Sequence, residues 1–200
     1  MRIILASRVY ILYSYYMIVG IDEVGRGCWA GPLVAGAVLL GAPIAGLKDS
    51  KKLSRLQREK LDAEIRVEAL GFGLGWVPAD ELDRVGLSAA VQLAMERALR
   101  AIRAEFDHII IDGSYNFLSG DPRAQAVVKA DDSVPAVSAA SIIAKVARDR
   151  YMHDMHAQFP GYAFDKHVGY GTAVHAAALR SLGPCQLHRN SFKPVAAFGR

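Results

Sequence analysis

An α/β fold, a mixed sheet flanked by helices, follows from three features of the sequence. Short apolar runs bounded by glycines or acids recur along the chain, and capped, periodic helical stretches alternate with them. No internal repeat, low-complexity tract or Pro/Ser-rich linker divides the 200 residues, so they read as one domain. With 52% apolar and 22% charged residues the chain has ample material for a core, which excludes a disordered protein.

Residues 18–22 are an apolar run that breaks at Asp22-Glu23 and Gly25-Arg26-Gly27, the pattern of a buried strand entering a loop. Leu33–Leu40, entered through Gly31-Pro32, is a second strand, expected to pair antiparallel with the first. Ser54 and Gln57 form an S-x-x-Q capping box ahead of a charged, periodic run, which predicts a helix over 54–68. Residues 71–77 alternate glycine with Phe72, Leu74 and Trp76 and read as a strand. Helices follow over 78–85 and 87–102, separated at Gly86. His108–Asp112 is a short strand closed by an acid and Gly113, and residues 126–128 form another, leading into Lys129 and Asp131-Asp132. A long helix is expected over 136–157, a glycine- and aromatic-rich loop over 159–171 and a last helix over 172–182.

The formal charge of +4 permits a polyanionic partner without demanding one. Its distribution says more: residues 1–120 carry 14 basic and 14 acidic residues, whereas 121–200 carry 10 and 6. Two cysteines, Cys28 and Cys185, are too few for a disulfide framework and read as reduced thiols of a cytoplasmic protein. No apolar run approaches the ~20 residues of a membrane span, so no membrane role is expected. The nearest candidate, residues 9–19, lacks a small-x-small cleavage site and is rich in tyrosine and β-branched residues that suit a strand. Met17 stands just ahead of the motif-rich part. Residues 1–16 are therefore expected to be an extension or a misassigned start, and 17–200 the domain itself.

Acids recur where apolar strands end: Asp22-Glu23, Asp112 and Asp131-Asp132. Ends of neighbouring strands lie close together, and crowded carboxylates repel unless a cation sits among them. Oxygen-only donors suit Mg²⁺ or Mn²⁺. Asp22 and Glu23 are consecutive, so both address one site only if the strand ends or distorts there. Gly25-Arg26-Gly27 is too short for a dinucleotide fingerprint; it lets backbone amides approach a ligand, or it is simply a tight turn. On the long helix Ser138, Ser141, Lys145 and Arg148 fall in one stripe, with Ala139, Ile142, Ile143, Val146 and Ala147 opposite. Hydroxyls followed by cations make a surface for a phosphate backbone, near Lys129, Lys166 and His167, although an ordinary solvated face has the same pattern. His153 and His156 lack a third zinc ligand at sensible spacing, and neither a G-x-S-x-G nor a phosphate-binding G-x-x-x-x-G-K-[ST] occurs.

Five blocks in order carry a family resemblance: GIDEVGRGCWAGPLVAGAV (20–38), DSKKLS (49–54), IDG (111–113), VKADDSVPAVSAASIIAKVARDRYM (128–152) and FDKHVGYGT (164–172). Together they closely resemble bacterial ribonuclease HII. The resemblance implies a ribonuclease H-like mixed sheet flanked by helices, with a helical C-terminal part. It implies an endonuclease that cuts the RNA strand of RNA–DNA hybrids and nicks duplex DNA 5′ of embedded ribonucleotides, leaving 5′-phosphate and 3′-hydroxyl ends. The site acids would be Asp22, Glu23, Asp112 and Asp131, holding two Mg²⁺ or Mn²⁺ ions. Gly25, Arg26 and Gly27 would grip the ribonucleotide 2′-hydroxyl, and Tyr170 would pack on the neighbouring deoxyribose. Lys51, Lys129, Ser141 and Lys145 are similar to phosphate contacts. Where the family usually has glycine before its last acid this chain has Ala130, and two acids follow; alignment favours Asp131 over Asp132. The C-terminal SFKPVAAFGR resembles no sliding-clamp-binding peptide, and a monomer with no clamp partner is expected. Two rivals stand beside this reading, a non-catalytic nucleic-acid-binding module and a metal-dependent phosphotransferase acting on small esters.

Overall fold

The computed structural model describes residues 17–199, so the expected extension over 1–16 lies outside the described residues. Five strands form one sheet in the order β3–β2–β1–β4–β5. β1 (Ile18–Val24) is central, antiparallel to β2 (Leu33–Leu40) and parallel to β4 (His108–Asp112). β3 (Ala69–Val77) extends the antiparallel side and β5 (Ala124–Val127) the parallel side. The sheet is mixed, as the sequence predicts. β2 and β4 coincide with their apolar runs. β1 does not end at Asp22 but continues through both acids to Val24, and β5 begins two residues earlier than expected.

Helix α1 (Arg55–Glu68) opens on the predicted capping box: Ser54 N donates to Gln57 Oε1 at 2.8 Å and Gln57 N to Ser54 Oγ at 3.3 Å. α2 (Ala79–Val85) and α3 (Leu87–Leu99) follow. Next come α4 (Ala130–Ser133), the long α5 (Pro135–Gln158), α6 (Phe164–His167) and α7 (Ala173–Leu182). The helix over 172–182 is not the last, because α8 (Lys193–Ala196) follows it. α4, α6 and α8 have four residues each, too few for a helical period to register in a sequence.

Helices cover both faces of the sheet. Val19, Ile21, Ala35 and Ala37 pack against Val91, Ala94 and Met95 of α3. On the other face Val38 meets Leu61 and Ile65 of α1 and Ala139, Ile142 and Ile143 of α5. Two glycines let α5 lie directly on the strands. A Cβ at Gly20 would stand 2.2 Å from the Ala136 carbonyl carbon, and one at Gly36 2.4 Å from the Ala140 oxygen. This contact overturns the reading of the α5 stripe as a solvated phosphate face: Ser138, Ser141 and Arg148 are buried, as are Ala139, Ile142, Ile143 and Val146. Among the described residues no helix is long and apolar enough to cross a membrane.

Candidate active site

The site begins with strand parity. Side chains alternate along β1, so Asp22 emerges on the face that carries α5 and Glu23 on the other. β1 and β4 run parallel with Ile21 opposite Ile111. The next residue on each strand is an acid, so Asp22 and Asp112 stand side by side on the same face. Asp112 Oδ1 accepts a hydrogen bond from the Ala130 amide at 2.8 Å, which ties the start of α4, and with it Asp131, to the end of β4. Just before α4, Lys129 adopts a left-handed backbone at φ 59°, an unfavourable conformation for a residue with a side chain.

Asp131 and Asp132 part company. Asp131 is buried and sits within the fields of Asp112 and Asp49, whereas Asp132 is exposed and ion-paired with Lys52. The geometry therefore groups Asp131, not Asp132, with Asp112 and, through Asp112, with Asp22. Asp49, which the sequence did not single out, belongs to this neighbourhood too. Its carboxylate accepts from the Lys51 amide at 2.9 Å and helps push Asp131 upward.

Burial pushes the Asp22 carboxyl from 3.8 up to about 7; a hydrogen bond from Ser141 opposes the shift, and the charges of Glu23 and Asp112 add to it. Burial likewise raises Glu23, against the attraction of Arg26 and Lys51, with Asp112 adding to the rise. Burial raises Asp131, with Asp112 and Asp49 adding and Lys51 opposing. Crowded oxygen donors whose charged forms are disfavoured fit a hard divalent cation, which would relieve the repulsion. Among the described residues no three His, Cys, Asp or Glu side chains converge closely enough to hold one ion together. His153 contacts Arg55 at 3.3 Å and His156 lies 3.3 Å from Asp165.

Ser141 reaches Asp22 because α5 presses on Gly36, the residue opposite Asp22 in the ladder. Its hydroxyl also lies 2.9 Å from that of Ser50, so it is a buried partner of the acids rather than a surface residue. One turn on, Lys145 pairs with Asp149 at 2.8 Å, and its ammonium lies 5.9 Å from the centre of the half-exposed Tyr170 ring. Lys51 and Lys129 are exposed.

The loop after β1 is held by two buried arginines that periodicity had placed elsewhere or passed over. Arg189 donates to the Arg26 and Gly31 carbonyls at 2.9–3.1 Å. Arg148 donates to those of Ala30, Pro32 and Val168 at 2.8–3.0 Å. Backbone bonds complete the crossing: Trp29 N to Gly169 O and Gly31 N to Leu187 O at 2.8 Å, and Arg189 N to Trp29 O at 2.9 Å. With these carbonyls turned inward, Arg26 and Gly27 are exposed at the tip, Arg26 3.7 Å from Glu23, and a Cβ at Gly27 would meet nothing. The three crossing segments bring Gly25-Arg26-Gly27 and Tyr170 into one assembly with the β1 acids. No local signal marks both arginines: Asp149 follows Arg148 directly in sequence, and only Arg189 stands far from any acid.

Comparison with known proteins agrees with this architecture. The sequence pattern of the family described as Ribonuclease HII matches residues 19–195. A ribonuclease HII of Nitrosococcus oceani is 46% identical over 183 residues, 90% of each chain. The crystal structure of ribonuclease H2 from Pyrococcus horikoshii superposes with a TM-score of 0.76 at 25% identity, covering 90% of this chain and 96% of that one. The ribonuclease HII of Archaeoglobus fulgidus, solved as a complex with PCNA, gives a TM-score of 0.72 at 29% identity, covering 88% and 95%.

Proposed function

Since the chain belongs to the ribonuclease HII family, hydrolases of RNA–DNA hybrids, we propose that it also nicks duplex DNA on the 5′ side of embedded ribonucleotides, leaving 5′-phosphate and 3′-hydroxyl ends. The observation that carries this reading is the placement of Asp22 beside Asp112 on one face, with Asp131 joined to them through the Asp112–Ala130 bond. Asp22, Glu23, Asp112 and Asp131 would hold two Mg²⁺ or Mn²⁺ ions, whose chemistry is activation of water and stabilisation of charge at the scissile phosphate.

The chain's own residues supply the rest. Ser141 holds the Asp22 carboxylate by its hydroxyl. Lys51 offsets the charge on Glu23 and Asp131 and presents an exposed ammonium to a phosphate. The exposed Arg26-Gly27 tip, with no Cβ at Gly27, brings backbone groups close to a 2′-hydroxyl, the group that distinguishes RNA from DNA. Tyr170 offers an exposed ring for the next deoxyribose, with Lys145 behind it. Lys129 extends the cationic surface for the backbone. The protein acts in the cytoplasm as a monomer on this reading. The PCNA complex is a property of the Archaeoglobus protein; the C-terminal residues here carry no such peptide pattern, and no clamp partner is proposed.

The test is cleavage of a duplex with one ribonucleotide, in Mg²⁺, Mn²⁺ or EDTA, with the cut mapped to a single bond. Asp22→Asn should abolish nicking while duplex binding survives. Full activity in that variant would end the proposal, and binding without any metal-dependent cleavage by the unmodified protein would favour a non-catalytic module.

A further inference from the structure

Three histidines outside the acid cluster meet where the crossing segments come together, and their hydrogen bonds run in one direction. The Cys185 amide, which can only donate, lies 2.9 Å from His188 Nδ1. That nitrogen is therefore the acceptor and the proton of His188 sits on Nε2; the Cys185 carbonyl at 3.3 Å asks for the opposite tautomer at a longer distance. His188 Nε2 stands 3.0 Å from His175 Nε2, so His188 donates and His175 accepts. The proton of His175 is then on Nδ1, which donates to the Tyr170 carbonyl at 2.9 Å. One neutral tautomer of each ring carries the line from the Cys185 amide through His188 and His175 to the Tyr170 carbonyl. His167 stacks on His175 with ring centres 4.3 Å apart and accepts from the Gly169 amide at 3.2 Å.

The segment at the end of this line is tied to the loop after β1 through Arg148 on Val168 O and Trp29 N on Gly169 O. The Tyr170 hydroxyl is hydrogen-bonded to the Cys28 thiol, and the Tyr170 carbonyl itself is held by His175. Tyr170 lies between helices, after Val168 at φ 44° and Gly169 at φ 89°, and a left-handed conformation is costly for a β-branched residue. A Cβ at Gly169 would stand 2.2 Å from the Ala30 oxygen, so the loop is pressed against the segment after Gly25-Arg26-Gly27. Further backbone bonds run from Tyr170 N to His167 O at 2.9 Å and from Thr172 N to Tyr170 O at 3.0 Å. A histidine pair that served only to fill the core would not need to end on the carbonyl of Tyr170, whose ring is half-exposed.

We propose that His175 and His188 are positioning residues for Tyr170, and that through it they set the preference for an RNA-to-DNA junction over a uniform hybrid. This rests on the reading of Tyr170 as the residue that packs on the deoxyribose. The pair touches no substrate atom; it determines where the Tyr170 backbone, and hence its ring, stands.

The experiment compares single-turnover cleavage of a duplex containing one ribonucleotide with that of a uniform RNA–DNA hybrid, for His175→Asn, His175→Gln, Tyr170→Ala and Tyr170→Ala/His175→Gln. Asparagine places its amide nitrogen near Nδ1 and keeps the bond to Tyr170; glutamine places its polar atoms near Nε2 and loses it. His175→Gln should lower cleavage of the single-ribonucleotide duplex by about tenfold, the scale of one lost hydrogen bond, with far less effect on the uniform hybrid. His175→Asn should restore most of that loss, and His175→Gln should add nothing once Tyr170 is alanine. Equal losses on both substrates, or a His175→Gln effect that persists in the Tyr170→Ala background, would overturn the proposal. If Tyr170→Ala leaves the substrate ratio unchanged, the reading of Tyr170 fails instead, and the substrate preference falls with it. The positioning claim is then decided by amide exchange over residues 168–172: faster in His175→Gln than in His175→Asn supports it, and equal rates refute it.

Discussion

Asp112 Oδ1 accepts the Ala130 amide at 2.8 Å, so the carboxylate that closes β4 also fixes the first turn of the helix that carries Asp131. The two tasks separate by substitution. Asp112→Asn keeps an acceptor oxygen for the amide but loses the charge, whereas Asp112→Ala loses both. Hybrid cleavage should fall by at least about a hundredfold in each, since charge at the reacting phosphate is lost in each. Only Asp112→Ala should also cost about 1 kcal/mol, the worth of a helix-start acceptor. A thermal midpoint equal in the two variants would show that the bond does not hold α4.

Asp22 carries the largest imposed strain among the acids, its carboxyl raised from 3.8 to about 7 by burial, then by Glu23 and Asp112 against the Ser141 hydroxyl. An acid with a raised folded pKa stabilises the fold below its unfolded value, and that stability is lost as pH rises through 7. In EDTA the unmodified protein should therefore weaken between pH 3.8 and about 7 relative to Asp22→Asn, which has no charge to bury. Above that window Asp22→Asn should be the more stable by about 2 kcal/mol, a figure reduced from the full shift because the carboxylate is partly exposed. Denaturant unfolding at both ends of the window measures this. A variant less stable than the parent at the alkaline end would remove the argument that these carboxylates lack a compensating cation.

The strands and the acids were legible because each has a local signature. Leu33–Leu40 begins directly after Gly-Pro, and His108–Asp112 ends at its acid, just before Gly113. The Ser54 capping box is a local code as well, and the helix begins after it. The α5 stripe shows where such reasoning ends. Ser138, Ser141, Lys145 and Arg148 do share a side of the helix, but periodicity reports only that a side is polar, not what it meets. Here it meets polar partners: Asp131 O for Ser138, Ser50 for Ser141, and three carbonyls for Arg148. Long-range pairs such as Arg189 with Arg26, 163 positions apart, leave no local trace at all.

The histidine pair makes a separate prediction in acid. Burial takes His175 and His188 from 6.5 down to about 4, with His167 adding to the fall and the hydrogen bond from His175 to the Tyr170 carbonyl opposing it. Burial also lowers His167, where Asp165 opposes. A histidine with a lowered folded pKa contributes stability that is present above its unfolded value and is lost as pH falls through the folded one. Between pH 6.5 and about 4 the unfolded chain takes up protons that the native pair refuses. The loss approaches about 3 kcal/mol per ring. Because the raised acids change stability in the opposite sense over much of this range, the parent is compared with His175→Asn/His188→Gln. The parent should lose several kcal/mol more than the variant across the window. Parallel pH profiles would mean that the rings titrate freely.

The loop that presents Arg26 and Gly27 owes its shape to Arg148 and Arg189, and here charge and geometry predict different things. Both guanidiniums are fully buried and direct their donors to carbonyl oxygens. A buried charge without a carboxylate beside it is costly, and burial takes Arg189 from 12.5 down to about 10, with Asp83 opposing and Arg148 adding. If charge were the main term, Arg148→Met would stabilise the fold. Its guanidinium, however, satisfies the Ala30, Pro32 and Val168 carbonyls at once, and each left unpaired costs about 1–3 kcal/mol. The carbonyls should win, so Arg148→Met should lower stability by about 3 kcal/mol, or roughly 6–12 °C in a chain of this size. Arg148→Lys keeps the charge but cannot fork to three acceptors, and should recover less than half of that loss. Because Arg148 joins the segment after Gly27 to the one before Tyr170, any residual activity should fall further on a single embedded ribonucleotide than on a long hybrid. Thermal melts of the two variants decide between charge and geometry, and a melt of Arg148→Met above that of the parent would decide for charge.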